Sequence, residues 1–177
     1  MKKATQFLAL ILSVAMLMTF MAACGGKKEA SDTKTETQAE TQAATAGEVQ
    51  TWGELSVFVP ESMEMKGGDG TFAPDDPKVL WLYNKEKATD YIKVSIVDSE
   101  DNAKSNVDTT KSINEQYNPE DAAVTVGNTE WKGVAYDVNG IPVFSLYAVA
   151  GDKVYFIMSA GYKYDSEIIT TVLDSLK

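Results

Sequence analysis

The spacing of apolar residues changes twice along the chain and divides it into three kinds of segment. Ala4 to Ala23 is an uncharged run rich in Leu, Ile, Met, Phe and Ala, preceded by Lys2 and Lys3. Gly25 to Thr51 holds no aromatic residue and a lone branched aliphatic, Val49. Too little apolar surface is available there to offset the entropy of ordering the chain, so this stretch is expected to be a disordered tether. A flexible chain of that length has a root-mean-square span of ~30 Å. From Trp52 onward the apolar positions alternate or recur at helical spacing, so the folded part is expected over residues 52–177.

Within that part, Leu55–Pro60, Val79–Tyr83 and Tyr91–Val97 have the composition of strands. In the last of these Ile92, Val94 and Ile96 alternate with Tyr91, Lys93 and Ser95, which gives one buried and one mixed face. Glu61 to Lys78, with its glycines and prolines, predicts an irregular loop. Ala103 to Tyr117 predicts a helix with a weak stripe at Val107, Ile113 and Tyr117. The strongest local signal is a meander from Glu130 to Ala160. Asn139-Gly140 predicts a type I′ hairpin that sets Tyr136 opposite Val143 and Val134 opposite Ser145, with Pro142 opposite Asp137. Gly151-Asp152 predicts a second turn, with Ala148 opposite Tyr155 and Leu146 opposite Ile157.

These registers collect Trp131, Ala135, Phe144, Leu146, Tyr155 and Ile157 on one face, and Val134, Tyr136, Val143, Tyr147, Val154, Phe156 and Met158 on the other. A sheet apolar on both faces must be covered on both. A closing helix capped at Asp165 or Ser166, with Ile168, Ile169, Val172, Leu173 and Leu176 in one stripe, supplies one cover. The helix near Val107, together with the N-terminal strand region, is expected to supply the other. The fold class expected is therefore α+β, a three-layer α/β/α sandwich around a mainly antiparallel sheet.

The N-terminal segment then gains a specific meaning. A basic start, an apolar run and small residues before a cut site form a secretory signal, and the length of the run leaves a membrane-spanning anchor as the competing reading. Met21-Ala22-Ala23-Cys24, followed by Gly25-Gly26, resembles the lipobox of bacterial lipoproteins. The resemblance implies a signal peptide over 1–23, a diacylglyceryl group on Cys24 and a lipid-anchored tether over 24–51. Two acyl chains, each buried methylene contributing about 0.8 kcal/mol, suffice for stable anchoring where one does not. The membrane is thus an expected partner through Cys24, with the folded part facing outward. Glycine after the cysteine suits a Gram-positive membrane or a Gram-negative outer membrane, and lysine without arginine, as in AT-rich genomes, favours the former. The folded part also resembles the PsbP-like fold, in the order of its elements, in Val59-Pro60, in the strand Val154-Tyr155-Phe156-Ile157 and in the closing Val172-Leu173-Asp174-Ser175-Leu176. That resemblance implies an accessory module of membrane or surface assemblies.

Charge and missing residue types narrow the chemistry. Lys2 and Lys3 are the only charges before Cys24, so the 26 acidic residues beyond face the remaining 14 of 16 lysines, a net charge of −12. Nucleic acid is excluded as a partner, because its binding rests on basic patches that release counterions. The chain has no histidine and no arginine. Histidine-dependent nucleophile systems and the usual zinc sites are therefore ruled out, as are bidentate guanidinium clamps.

Weaker motifs dissolve on inspection. Ser31-Asp32-Thr33-Lys34 matches a serine-acylating pattern but sits in the tether. Gly67-Gly68-Asp69-Gly70 lacks the lysine of a phosphate loop. Asp98, Glu100 and Asn102 have calcium-loop spacing, but Ala103 stands where glycine is needed and Thr109 where the bidentate glutamate belongs. Asp75-Asp76 point opposite ways in an extended chain. Trp52, Trp81 and Trp131 offer either a sugar- or protein-binding platform or, more simply, buried packing. No catalytic residue, metal or cofactor is expected. The function expected is a non-catalytic binding or accessory module with a protein partner at the cell envelope. A carboxylate- or Ser-Lys-dependent hydrolase and a small-solute receptor are the competing classes.

Overall fold

A computed structural model describes residues 45–70 and 72–176; Cys24, the signal segment and Ser31–Lys34 lie outside the described residues. The elements run β1 (Gly47–Trp52), β2 (Leu55–Pro60), β3 (Met63–Gly67), β4 (Val79–Asn84), β5 (Tyr91–Val97), α1 (Glu100–Ile113), a 3₁₀ turn (Glu115–Tyr117), β6 (Glu120–Val126), β7 (Thr129–Val138), β8 (Ile141–Ala150), β9 (Lys153–Ala160) and α2 (Glu167–Ser175). Strands β3-β4-β5-β9-β8-β7-β6 form one antiparallel sheet in that order, and β1 and β2 form a separate hairpin.

The meander has the expected pairing throughout. Val134 faces Ser145, Tyr136 faces Val143 and Asp137 faces Pro142. Leu146 faces Ile157 and Ala148 faces Tyr155. Asn139 and Gly140 take φ of 55° and 85°, the left-handed geometry of a type I′ turn. Strand β9 then pairs with β5, Val94 opposite Ile157, so the chain leaves the sheet at β5, crosses through α1 to the far edge and returns strand by strand.

The three-layer α/β/α sandwich does not form: 51% of the described residues lie in strands and 20% in helices, and the fold is mostly β. Two features of the chain account for the difference. Glu61–Lys78 is not wholly irregular, because Met63 and Met65 alternate with Glu64 and Lys66 and add β3 as an edge strand, Met65 opposite Leu82. The N-terminal region also lies on the other face from the one expected. Leu55, Val57 and Val59 join Ile169, Val172, Leu173 and Leu176 of the α2 region over Trp131, Phe144, Leu146 and Ile157. That cover is therefore a β-hairpin beside a nine-residue helix rather than a helical layer. Strand structure begins at Gly47, ahead of the start expected at Trp52; Gly53 turns with φ 53° and lets Trp52 pair with Leu55.

The opposite face carries α1 alone. Ser99 caps it by accepting from the Asn102 amide at 3.2 Å, and Glu100 and Asp101 in the first turn suit the positive end of the helix dipole, so the helix starts earlier than the apolar stripe predicts. Val107 packs on Val134 and Phe156. The helix ends at Ile113, so it covers only part of that face. Among the described residues no helix is long and apolar enough to cross a membrane.

Candidate functional site

Past α1, the same face of the sheet carries aromatic side chains that remain part-exposed. Pairing sets Tyr83 opposite Tyr91, Tyr91 opposite Ala160, Ala160 opposite Val143 and Val143 opposite Tyr136. These five positions form one line across five strands, about 19 Å long at the usual ~4.8 Å strand spacing. Ala160 and Val143 are small, so the line dips between Tyr91 and Tyr136. Trp81 lies beside Tyr83 with centroids 5.7 Å apart and rings nearly parallel, and 5.2 Å from Tyr91. At the other end Tyr117, on the 3₁₀ turn, stacks on Tyr136 at 6.2 Å.

The two ends differ in charge. Lys93 places its ammonium 4.9 Å from the Trp81 ring centre and Lys66 places its own 5.1 Å from that of Tyr83. Each is held there by a carboxylate, Asp69 at 2.7 Å and Glu64 at 2.9 Å. Among the described residues no lysine sits over the Tyr117–Tyr136 pair.

Beside that pair a groove of about 580 Å³ opens at the strand ends. Its lining comes from both faces of the sheet at the strand ends: Ala135, Pro142 and Phe144 with Tyr162 and Tyr164 on the side of α2, and Tyr136, Val143 and Tyr117 on the side of α1, with Asn118, Glu120, Asp137, Asp165 and Lys163 also lining it. Local geometry positions each wall. Asn118 takes φ 52°, which turns the chain from the 3₁₀ turn into β6. Gly161 takes φ 90°, and its amide donates to the Pro142 carbonyl at 2.9 Å. A side chain at 161 would strike the Asp90 carboxylate, so glycine there is a steric need as well as a conformational one. The Tyr162 hydroxyl accepts from the Asn84 amide nitrogen at 2.9 Å, and Ser166 donates to the Lys163 carbonyl at 2.7 Å, which together fix the loop leading into α2.

Burial raises the Tyr136 phenol above its ordinary 10.0, helped by Tyr91 and Tyr117; burial also raises Tyr91, with Tyr83 adding to it, and Tyr155, with Asp152 adding to it. Tyr136 therefore lines the groove as a neutral phenol at neutral pH. The sign follows from linkage: a folded-state value above the unfolded one contributes stability that is complete below about pH 10 and is lost as pH rises through the raised values. Thermal melts are expected to hold level from about pH 8 to 10 and to fall beyond, with tyrosinate absorbance appearing later in the folded protein than in urea. Coincident tyrosinate titrations in both states would contradict this.

The residues singled out in the sequence fare differently. The three tryptophans do not come together: Trp131 is fully buried in the core, Trp52 lies against the Gly67 backbone and donates to the Asp76 carbonyl at 2.8 Å, and Trp81 stands on the opposite face. Asp98 pairs with Lys78 while Glu100 opens α1, so the calcium-like spacing is a helix start. Asp76 accepts from the Lys78 amide in a turn. Among the described residues no group of three or more acidic, cysteine or histidine side chains is placed to hold a metal. The tyrosine line was not foreseen, although Tyr83 two residues after Trp81 and Tyr91 on the mixed side of its strand were its visible signs. Only the strand order aligns them with Tyr136.

No family model matches the chain, and no curated protein matches it. Among solved structures it is similar to a crystal structure from Bacteroides thetaiotaomicron VPI-5482, with a TM-score of 0.42 and 12% identity, over 69% of this chain and 44% of that one. The chain thus spans less than half the length of that protein, and a likeness of this size carries no argument about fold or function.

Proposed function

We propose that this chain is a lipid-anchored, outward-facing lipoprotein whose folded part is a non-catalytic binding module, holding a ligand or partner at the cell surface. The lipobox-like Met21-Ala22-Ala23-Cys24 and the polar stretch after it support the anchor and the tether. The observation that carries the binding reading is the tyrosine-walled groove of about 580 Å³, a size that suits a small molecule or a short extended segment. Its polar groups are phenols, carboxylates, the Asn118 amide and one lysine, which can orient a ligand. The acidic charge of the domain keeps phosphate backbones away.

In-cell crosslinking followed by mass spectrometry tests this. The native protein is expected to recover neighbours that a tethered unrelated domain does not, with crosslinks mapping to the loop 162–165 and the 3₁₀ turn. Recovering the same proteins and molecules with both tethers would sink the proposal.

A further inference from the structure

We infer that a second cavity, on the α1 side of the sheet, binds a neutral polyhydroxyl compound, a sugar or polyol of monosaccharide size. The cavity shares no lining residue with the tyrosine groove, so the inference goes beyond the reading given above. It measures about 410 Å³ and lies between α1 and strands β4, β5 and β9. Strand register puts its sheet-side lining on one face: Val79 is opposite Ser95, Ser95 opposite Phe156 and Lys93 opposite Met158. Phe156 packs on Val107, which fixes that face as the one under α1. The helix contributes Asn106 and Thr109 to the other wall.

Unpaired polar groups point to a ligand. Ser95 is 8% exposed, yet among the described residues its hydroxyl has no hydrogen-bond partner. A hydroxyl taken out of water and left unpaired is costly, and a ligand group in the cavity would offset that cost. Two further orphans flank the cavity lining along one row of the sheet: Trp81 Nε1, beside Lys93, and the Ser145 hydroxyl, beside Met158. Lys93 is held in place by Asp69 at 2.7 Å and by the Trp81 ring at 4.9 Å. Asp69 is fixed in turn, its amide donating to the Ala73 carbonyl at 2.6 Å.

The lining selects the ligand's charge. Lys93 and Asp69 both line the cavity and cancel, so neither an anion nor a cation is favoured there, and the acidic charge of the domain disfavours an anion further. The Ser95 and Thr109 hydroxyls and the Asn106 amide each donate and accept, which matches ligand hydroxyls that do the same. Val79, Phe156 and Met158 give an apolar wall for the C–H face of a sugar ring or polyol.

Methyl NMR on the full-length lipoprotein, labelled at methionine and held in a detergent without a sugar headgroup, tests the inference with Met158 as the reporter in the cavity. The probes are glucose, galactose, mannose and myo-inositol, with gluconate and glucosamine as charged counterparts of glucose. At least one neutral probe is expected to shift the Met158 methyl saturably, more tightly than either charged counterpart and independently of ionic strength. Ser95→Ala should weaken that binding about three- to tenfold, while the ligand-free melting midpoint stays level or rises because an unpaired hydroxyl is gone. Thr109→Trp, at an exposed helix position, should fill the cavity and abolish the shift. Lys132→Gln, on the other flank of α1, should change nothing. No shift with any neutral probe, or tighter binding of gluconate or glucosamine, overturns the inference. A lower ligand-free midpoint in Ser95→Ala would overturn it too, since the hydroxyl would then be serving the protein itself.

Discussion

Leu146→Ala is expected to lower the stability of the folded domain by about 3–5 kcal/mol, a large share of the roughly 5–15 kcal/mol that domains of this size hold. Leu146 is fully buried on β8, third from the sheet edge at β6. Its partner across β7 is Gly133, which lacks a side chain to move into the space, and Ile157 flanks it on β9. A residue added at Gly133 would meet the Ser145 carbonyl, so the two backbones already approach closely and relaxation is limited. Cavity cost rises where the surroundings cannot collapse. The midpoint of thermal unfolding should fall by roughly 10 °C or more. Val149→Ala on the same strand, where the side chain is 50% exposed, should cost less than about 1 kcal/mol. Similar losses at both positions would mean that this face of the sheet is not the core.

Cys24→Ala is expected to abolish lipid incorporation altogether. The cysteine is the chain's single thiol and stands at the junction of the apolar run and the polar stretch. Without it no thioether forms, labelled palmitate should be absent from the protein, and the precursor should keep the signal segment and the higher mass that goes with it. Partition into the membrane through two acyl chains would be lost as well. Unchanged mass and unchanged labelling in the variant would refute lipid anchoring and return the apolar run to its competing reading as a spanning segment.

How much of this was legible in the sequence differs by element. The meander was, down to the residue, because a two-residue Asn-Gly turn has one favoured geometry and a period of two then propagates the register along both strands. The closing helix was legible for a similar reason: Ser166 and Glu167 mark its start, and Ile169, Val172 and Leu173 share one face. Strand β3 was missed because Met63-Glu64-Met65-Lys66 is short and sits among glycines and prolines, and its pairing with β4 is what makes it a strand. The tether's end was misjudged in the same way. Gly47–Thr51 has almost no apolar content of its own and is ordered by its ladder to β2.

By itself the sequence determined local geometry, the double-sided apolar sheet, the acidic charge and the lipobox-like junction at Cys24. Each of these depends on residues close together along the chain or on composition, and needs no knowledge of the rest. Tertiary structure alone decided which face the N-terminal hairpin covers, that β9 closes on β5, and that Tyr83, Tyr91 and Tyr136 therefore share one line with Tyr117 stacked at its end. Both faces of the sheet are apolar, so hydrophobicity does not say which cover goes where. That choice rests on the lengths of the connections and the fit of particular side chains, such as Leu55 and Val57 beside Ile169 and Val172, which exists only once the strands are in order.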